Sequence, residues 1–431
     1  MNFKDFQKKR ILVMGLGLHG GGLGVANFFT KIGALVTITD LKTKEDLNPS
    51  IKKLVGYPKL VLGEHKLPDF LETDLIIRNP GVPQESKFLS AARKAGVPIK
   101  MESSLFFTLS PSKNIIGVTG TKGKTTTTLL IGEILRKAGV NVEVAGNLRI
   151  SMLDLLQKIE RNTWIVLELS SWQLEGLGES YISPHIAVLT NIYQDHLDRY
   201  KNFDEYIEAK KNIFKFQKPS DFLVINKLQA KITRGAESKV KFFSTKKIPK
   251  NILESSTLIG YHNLENIACA TETVKLLGVK NSIIAEALKT FKVNDRLELV
   301  RVVSGIEFVN DTTATDPDAT IAAISSFSNP IILVVGGADK NLDFSQMAKA
   351  INKKVKKVVL LVGSATDKIS RLLEKDLVLG EFSSLNKAVN TAFKFANKGD
   401  VILLSPGCAS FGMFKHEFDR GEQFKKIVEK L

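Results

Sequence analysis

Short runs of uninterrupted apolar residues recur along the chain, separated by longer stretches in which apolar positions return with helical spacing. In the first hundred residues the runs are Ile11-Leu12-Val13-Met14, Leu35 to Thr39 and Leu75-Ile76-Ile77, with an amphipathic stretch around Val25 to Ile32. Alternation of this kind predicts a parallel sheet covered by helices. A second block starts near Lys100 with runs at Ile115-Ile116-Gly117-Val118, Trp164 to Leu167, Ile186 to Asn191 and Phe222 to Ile225, several ending in a polar residue able to face a ligand. A third, from about Leu297, repeats the pattern at Ile306 to Val309, Ile331 to Val335, Val358 to Val362 and Val401 to Leu404. There is no solenoid period, low-complexity tract or long Pro/Ser linker.

At 431 residues, 43% apolar and 25% charged, the chain is long enough for two to four domains with buried cores and reads as soluble and globular. Its two cysteines, Cys269 and Cys408, are far apart and outside any metal or redox spacing, which predicts free thiols in a reducing cytoplasm. The basic start followed by Ile11 to Met14 dissolves into glycines, so a strand entering a glycine loop is the better reading than a signal peptide. No stretch is long and apolar enough to insert in a membrane. The net charge of +16 raises the question of a polyanion, but the lysines are scattered rather than gathered in one aromatic-interleaved tract. The expectation is no nucleic acid, and a basic surface that helps recruit a phosphorylated substrate.

Gly117 to Thr128 packs three glycines, two lysines and six threonines into twelve positions behind the apolar pair Ile115-Ile116. A glycine loop after a buried strand exposes successive N–H groups, and the following helix points its N-terminus at the same place, which suits phosphate oxygens. Lys124 would neutralise terminal phosphates and the Thr125 hydroxyl would ligate Mg²⁺, the division of labour of a P-loop. Val118 stands where the general motif has glycine, so the match is to the narrower TGTxGKTT. The alternative is a Gly/Thr-rich turn with no ligand.

Gly15-Leu16-Gly17-Leu18-His19-Gly20 also follows a strand and opens a helix, and Asp40 closes the next strand. This is the dinucleotide fingerprint, with glycines near a diphosphate and a carboxylate on ribose. Taken by itself it fits a nicotinamide or flavin oxidoreductase, or a glycine turn that binds nothing.

These motifs continue in order through Asn79-Pro80-Gly81, Glu168 to Glu175, Asp195 to Tyr200, His262-Asn263, Asn266, Asn310-Asp311, Gly336 to Lys340 and Ser405 to Ser410. The set resembles the Mur ligases, ATP-dependent amide-forming enzymes of peptidoglycan precursor synthesis, in particular the branch that adds D-glutamate to UDP-N-acetylmuramoyl-L-alanine. The resemblance implies an α/β protein of three domains: an N-terminal Rossmann-like UDP-binding domain (1–100), a central P-loop ATPase domain (101–297) and a C-terminal Rossmann-like domain (298–431). It implies ATP and two Mg²⁺ ions as cofactors; the expectation for the chain is a cytoplasmic monomer. Gly120, Thr121, Lys122, Gly123, Lys124, Thr125 and Thr126, with Asn263, Asn266, Arg296 and Asp311, would bind ATP. Glu168 and His196 would ligate magnesium beside Thr125, and Lys210, which aligns with the family's carbamylated lysine, would join them. Gly15, Leu18, Thr39, Asp40 and Asn147 would meet the UDP-substrate. Lys340, Ser410 and Phe418 would meet glutamate. Two positions depart from the family pattern: Thr313 stands in place of a lysine, and Glu417 occupies the usual aromatic position, with Phe418 one place later.

Overall fold

The computed structural model describes residues 3–431 except 19, 149, 150, 195–198 and 257. The chain separates into two compact units, one of residues 1–255 and 265–288, the other of residues 256–264 and 289–431.

The first unit holds two sheets. Strands β1 (Arg10–Met14), β2 (Leu35–Asp40), β3 (Lys59–Leu62), β4 (Leu75–Arg78) and β5 (Ile99–Lys100) pair in parallel in the order β3-β2-β1-β4-β5. Alternate residues of β1 face opposite cores: Ile11 and Val13 pack with Phe28 and Phe29, while Leu12 and Met14 pack with Phe70 and Leu89. Burial on both faces is why such a strand is apolar throughout. The order reverses at β1, whose neighbours are β2 and β4, and the loops at Gly15 and Asn79 leave the carboxyl ends of this pair, where open α/β sheets hold ligands.

The second sheet comprises β6 (Ile115–Thr119), β7 (Val142–Gly146), β8 (Trp164–Glu168), β9 (Ile186–Leu189), β10 (Phe222–Asn226) and β11 (Lys239–Phe243), parallel in the order β11-β10-β9-β6-β8-β7. Its switch point is β6, between β8 and β9, so Gly120, Glu168 and Thr190 all emerge at one end. A single apolar cluster runs from Val13 of the first sheet to Leu223 of the second, joining the two layers as one body.

In the second unit, β12 (Glu298–Val303), β13 (Ile306–Asn310), β14 (Ile331–Val335), β15 (Val355–Leu361), β16 (Val378–Phe382) and β17 (Val401–Leu404) lie in the order β12-β13-β17-β14-β15-β16. The pairs are parallel except β12, which returns antiparallel on β13. Along β14, Ile331, Leu333 and Val335 face one core and Ile332 and Val334 the other. Every interior strand of the three sheets coincides with an apolar run read from the sequence. The strands without such a run, β3, β5, β7, β11, β12 and β16, are all sheet edges. Among the described residues no helix is long and apolar enough to cross a membrane.

Candidate active site

The loop after β6 is built from backbone. Gly120 lies so close to β9's continuation that an added Cβ would fall 1.9 Å from Thr190 Oγ1. Thr121 N donates to the Asn191 carbonyl at 2.9 Å, Lys122 N to Asn191 Oδ1 at 2.8 Å, and the Thr190 hydroxyl to the Lys122 carbonyl at 2.7 Å. Thr190 and Asn191 therefore pin the loop from the neighbouring strand. Gly123 follows at φ 80°, where a side chain is strained and a Cβ would meet Asn266 Oδ1 at 2.1 Å. It opens the helix Lys124–Lys137 with no side-chain cap, leaving that helix's first N–H groups for an anion.

Two ammonium groups converge on this loop. Lys124 Nζ donates to the carbonyls of Gly120 at 3.0 Å and Thr121 at 2.9 Å. Lys210, only 2% exposed on the helix Phe203–Lys211, reaches the same Gly120 carbonyl at 2.8 Å and lies 4.7 Å from the Tyr206 ring centroid. Tyr206 is itself fixed by its hydroxyl, 3.1 Å from Thr121 Oγ1. Thr125 is half-buried in the first helical turn, Thr126 is buried, and Lys122 is exposed. Asn266 accepts from the Thr127 hydroxyl at 3.3 Å, which ties its helix, Tyr261–Lys275, to the loop.

Glu168 ends β8 and is 2% exposed. Its Oε1 accepts from Asn147 Nδ2 at 3.0 Å, while Oε2 is buried with no hydrogen-bond partner among the described residues. Gly146, at φ 105°, brings Asn147 against the Glu168 backbone, where Asn147 N donates to the carbonyl at 2.9 Å. An orphaned carboxylate oxygen beside a threonine-bearing P-loop fits a divalent cation, because a buried acceptor without a donor is costly unless something fills it. No group of three or more His, Cys, Asp or Glu side chains able to hold a metal occurs among the described residues. His196 lies outside them.

At the first sheet, Asp40 is engaged by the protein itself. Its Oδ2 accepts from the N–H groups of Leu16 and Gly17 at 2.9 and 3.2 Å, and Oδ1 from Lys42 N at 3.0 Å. It thus shapes the Gly15–Gly20 turn. Thr39 is fully buried, its hydroxyl 2.7 Å from His65 Nδ1. Leu18 is 46% exposed at the mouth of the turn, and Gly15 adopts φ 94° against Asn79.

The remaining candidates belong to the second unit. Arg296 is exposed on a turn whose flanking residues, Asp295 (φ 64°) and Leu297 (φ 44°), are both left-handed without being glycine. Such conformations persist only where the surroundings enforce them. Here Asp311 Oδ1 accepts from Leu297 N at 3.2 Å, Asp295 N donates to Glu298 Oε2 at 2.8 Å, and Asn310 Nδ2 donates to Asp295 Oδ1 at 2.8 Å. Burial pushes the Asp311 carboxyl up to about 7, against the pull of the Ser405 hydroxyl and the Leu297 N–H. Thr313, where the family carries lysine, donates its hydroxyl to the Asp295 carbonyl at 2.9 Å and so braces the same turn. Asn263 is buried, with Nδ2 donating to the Ile259 carbonyl at 2.7 Å. Lys340 is exposed and Ser410 buried, their segments joined through paired backbone bonds of Ala338 and Ala409 at 2.9 and 3.1 Å. Phe418 sits in the first turn of the helix Glu417–Val428, its ring centroid 6.1 Å from that of His416.

Sequence reasoning passed over several buried polar residues. Arg78, fully buried at the end of β4, binds Glu179 at 3.0 Å. Glu175 accepts from Arg199 at 3.3 Å and from the Tyr200 hydroxyl at 3.0 Å, and burial pushes the Tyr200 phenol up. Arg199 also reaches the Pro80 carbonyl at 3.3 Å, fastening the loop after β4 to the turn that follows residues 195–198. In the second unit Arg420, also fully buried, donates to the Thr312 hydroxyl and carbonyl at 3.0 and 2.8 Å. For Glu175, Arg199 and Tyr200 the available signal was their place inside the ordered motifs; Arg78 and Arg420 lie outside them and read as surface charges.

The chain matches three domain families: "Mur ligase MurD-like, N-terminal domain" over residues 9–100, "Mur ligase middle domain" over 118–255 and "Mur ligase, glutamate ligase domain" over 295–408. It is 45% identical to the UDP-N-acetylmuramoylalanine--D-glutamate ligase of Roseiflexus sp. (strain RS-1), with 98% of each chain covered, and 38% identical to that of Borreliella afzelii (strain PKo), with 100% of each covered. Among solved structures, the UDP-N-acetylmuramate-alanine ligase MurC of Thermotoga maritima shares the fold with a TM-score of 0.61 at 19% identity, covering 98% of this chain and 99% of that one. The MurF ligase of the same organism, solved in complex with ADP, gives 0.61 at 18%, covering 99% and 97%. With its three sheets, its phosphate loop and full-length identity of this degree, the chain belongs to the Mur ligases, a family of ATP-dependent, amide-forming enzymes.

Proposed function

We propose that the chain joins D-glutamate to UDP-N-acetylmuramoyl-L-alanine with cleavage of ATP to ADP and phosphate, as a cytoplasmic monomer of three domains spanning 1–100, 101–297 and 298–431. The observation that carries this reading is the convergence of Lys124 and Lys210 on one carbonyl, that of Gly120. Two like charges on a single acceptor repel, and negative charge brought to this loop relieves that repulsion. A triphosphate supplies it to Lys124. Carbamylation would turn Lys210 itself into a carboxylate.

A carboxylate does not react with an amine in neutral water. Its oxygen must first attack the γ-phosphorus of ATP, releasing ADP and leaving an acyl phosphate. The amine of glutamate then adds to the carbonyl, loses a proton, and the tetrahedral intermediate collapses with departure of phosphate. What the chain contributes is positioning and charge: the 120–123 loop and the uncapped helix behind it hold phosphate oxygens, and Lys124 neutralises those that gain charge. Magnesium, proposed as two ions held by Thr125, Glu168, His196 and carbamylated Lys210, would supply further neutralisation of the phosphates. Asn263, Asn266, Arg296 and Asp311 are assigned to the nucleotide. Gly15, Leu18, Thr39, Asp40 and Asn147 are assigned to the UDP-substrate, Thr39 acting through His65. Lys340, Ser410 and Phe418 are assigned to glutamate, with Lys340 as the cation of that trio.

The test is phosphate release from ATP and Mg²⁺ by the purified chain. Release that requires both UDP-N-acetylmuramoyl-L-alanine and D-glutamate is the expected result. Steady hydrolysis without acceptor would mark a regulatory NTPase instead, and a screen of D- and L-amino acids checks the glutamate assignment. Sedimentation velocity checks the monomer.

A further inference from the structure

The helix Gly21–Lys31 starts uncapped: Gly20 stands at its N-cap in the left-handed region (φ 92°) with no side-chain cap bond among the described residues, and the first turn carries no acidic residue. The upstream amides of Leu16 and Gly17 are already given to Asp40. The mouth of the helix at Gly20 and Gly21 is a seat for an anion in this loop.

A carboxyl group from another element stands beside that mouth. Glu102, first residue of the helix Glu102–Leu109, is 7% exposed. Its Oε1 accepts from the Ser151 hydroxyl at 2.5 Å and from Leu153 N at 3.4 Å. Oε2 is turned toward Gly21, where an added Cβ would lie 4.0 Å from it and 4.0 Å from Asn79 Nδ2. One turn further on, Gly24 packs so closely that a Cβ would fall 2.2 Å from Ser151 Cβ, so the Ser151–Glu102 pair is held against the same helix. Among the described residues, the charged groups around it are Asp154, which acts on Glu102, and Lys31 and Lys158, which temper Asp154. Burial pushes the Glu102 carboxyl up to about 7.

We propose that Glu102 is a positioning residue of the nucleotide-sugar site: ionised, it complements the uncapped helix in the free protein, and when the substrate's diphosphate takes the helix mouth the carboxylate takes one proton from solvent and remains as a neutral acid. The inference rests on the UDP-substrate reading given above. A diphosphate diester brings two negative charges and no group that titrates near neutrality, so the proton must come to the protein. Repulsion at a buried carboxyl favours neutralising it over expelling the ligand, because a buried acid is already close to accepting a proton.

The test is calorimetric titration of the full chain with UDP-N-acetylmuramoyl-L-alanine at pH 8 in two buffers of different ionisation enthalpy, Hepes and Tris. The expected result is uptake of roughly 0.5–1 proton per ligand, falling toward zero at pH 6, with Kd weakening by up to about tenfold per pH unit on the alkaline side. Glu102→Gln should bind without proton uptake and with a flat pH profile, ATP binding serving as its check of folding. Ser151→Ala removes only the hydroxyl bond and should move the midpoint of the wild-type profile upward. Equal heats in the two buffers at pH 8, or uptake that persists in Glu102→Gln, would overturn the proposal while leaving the UDP-substrate reading intact. No binding at any pH would overturn both.

Discussion

Gly120 acts through its carbonyl and through the hydrogen on its Cα. The carbonyl gathers Lys124 and Lys210, and the missing side chain lets Thr190 close on the loop. Gly120→Ala would push a methyl into the Thr190 hydroxyl, and it should cost about 2 kcal/mol or more of stability together with most ATP affinity, measurable by urea unfolding and nucleotide titration. Lys124→Ala should lower kcat by roughly 10²–10³-fold, the usual consequence of removing one charge aimed at a reacting phosphate. Should ATP binding and amide synthesis both survive that change, the active-site assignment fails. Lys210→Ala should nearly abolish turnover, and, if the proposed carbamate forms on Lys210, added short carboxylic acids should restore part of it. Full activity in the variant would remove Lys210 from the site. Lys124 could be singled out before any coordinates from the chemistry of its loop, and Glu168, Asn147 and Lys210 through the resemblance carried by the ordered motifs. Glu102, Arg78 and Arg420 could not. Their significance is burial, and burial of a charged side chain is invisible until the chain has folded over it.

At the scale of elements, legibility followed burial too. Interior strands such as β6 and β14 are covered on both faces and read as unbroken apolar runs. Edge strands have one open side: β12 (ELVRVV) alternates in exposure and β11 (KVKFF) carries lysines, so neither announces itself. The turn at Arg296 is a second structural product. Its two left-handed residues are held by Glu298 within the turn and by Asn310 and Asp311, which reach it from the end of β13. Asp311 gives that turn a pH dependence with a definite sign. Its folded pKa of about 7 lies above the ordinary carboxylate value, so its contribution to stability is full below about pH 4 and is lost as pH rises through 7. Asp311→Asn, which keeps an acceptor for Leu297 N–H, should therefore gain stability relative to the wild type between pH 5 and pH 8, on the order of 2 kcal/mol in urea titrations. A constant difference across that range would show that Asp311 does not titrate there.

Across the whole molecule, a net charge of +16 meets substrates that are all anions: ATP, a UDP-sugar and an amino diacid. Long-range attraction should raise encounter rates, so kcat/KM should fall several-fold between about 0.05 and 0.5 M salt, whereas sucrose of equal osmolality should not reproduce the loss. Salt-independent kinetics would reduce the charge to a solvated surface. The sequence by itself determined the three α/β blocks, the interior strands and the phosphate loop, because those depend on local periodicity and on residue types at fixed spacing. Tertiary structure alone decided that Asp40 shapes its own glycine loop, that Asn147 shares Glu168, that Lys124 and Lys210 meet on one carbonyl, and that Glu102 lies beside the mouth of a helix some eighty residues earlier. Each joins groups distant in the chain, and the contact exists only because burying the apolar strands leaves those polar ends nowhere else to go.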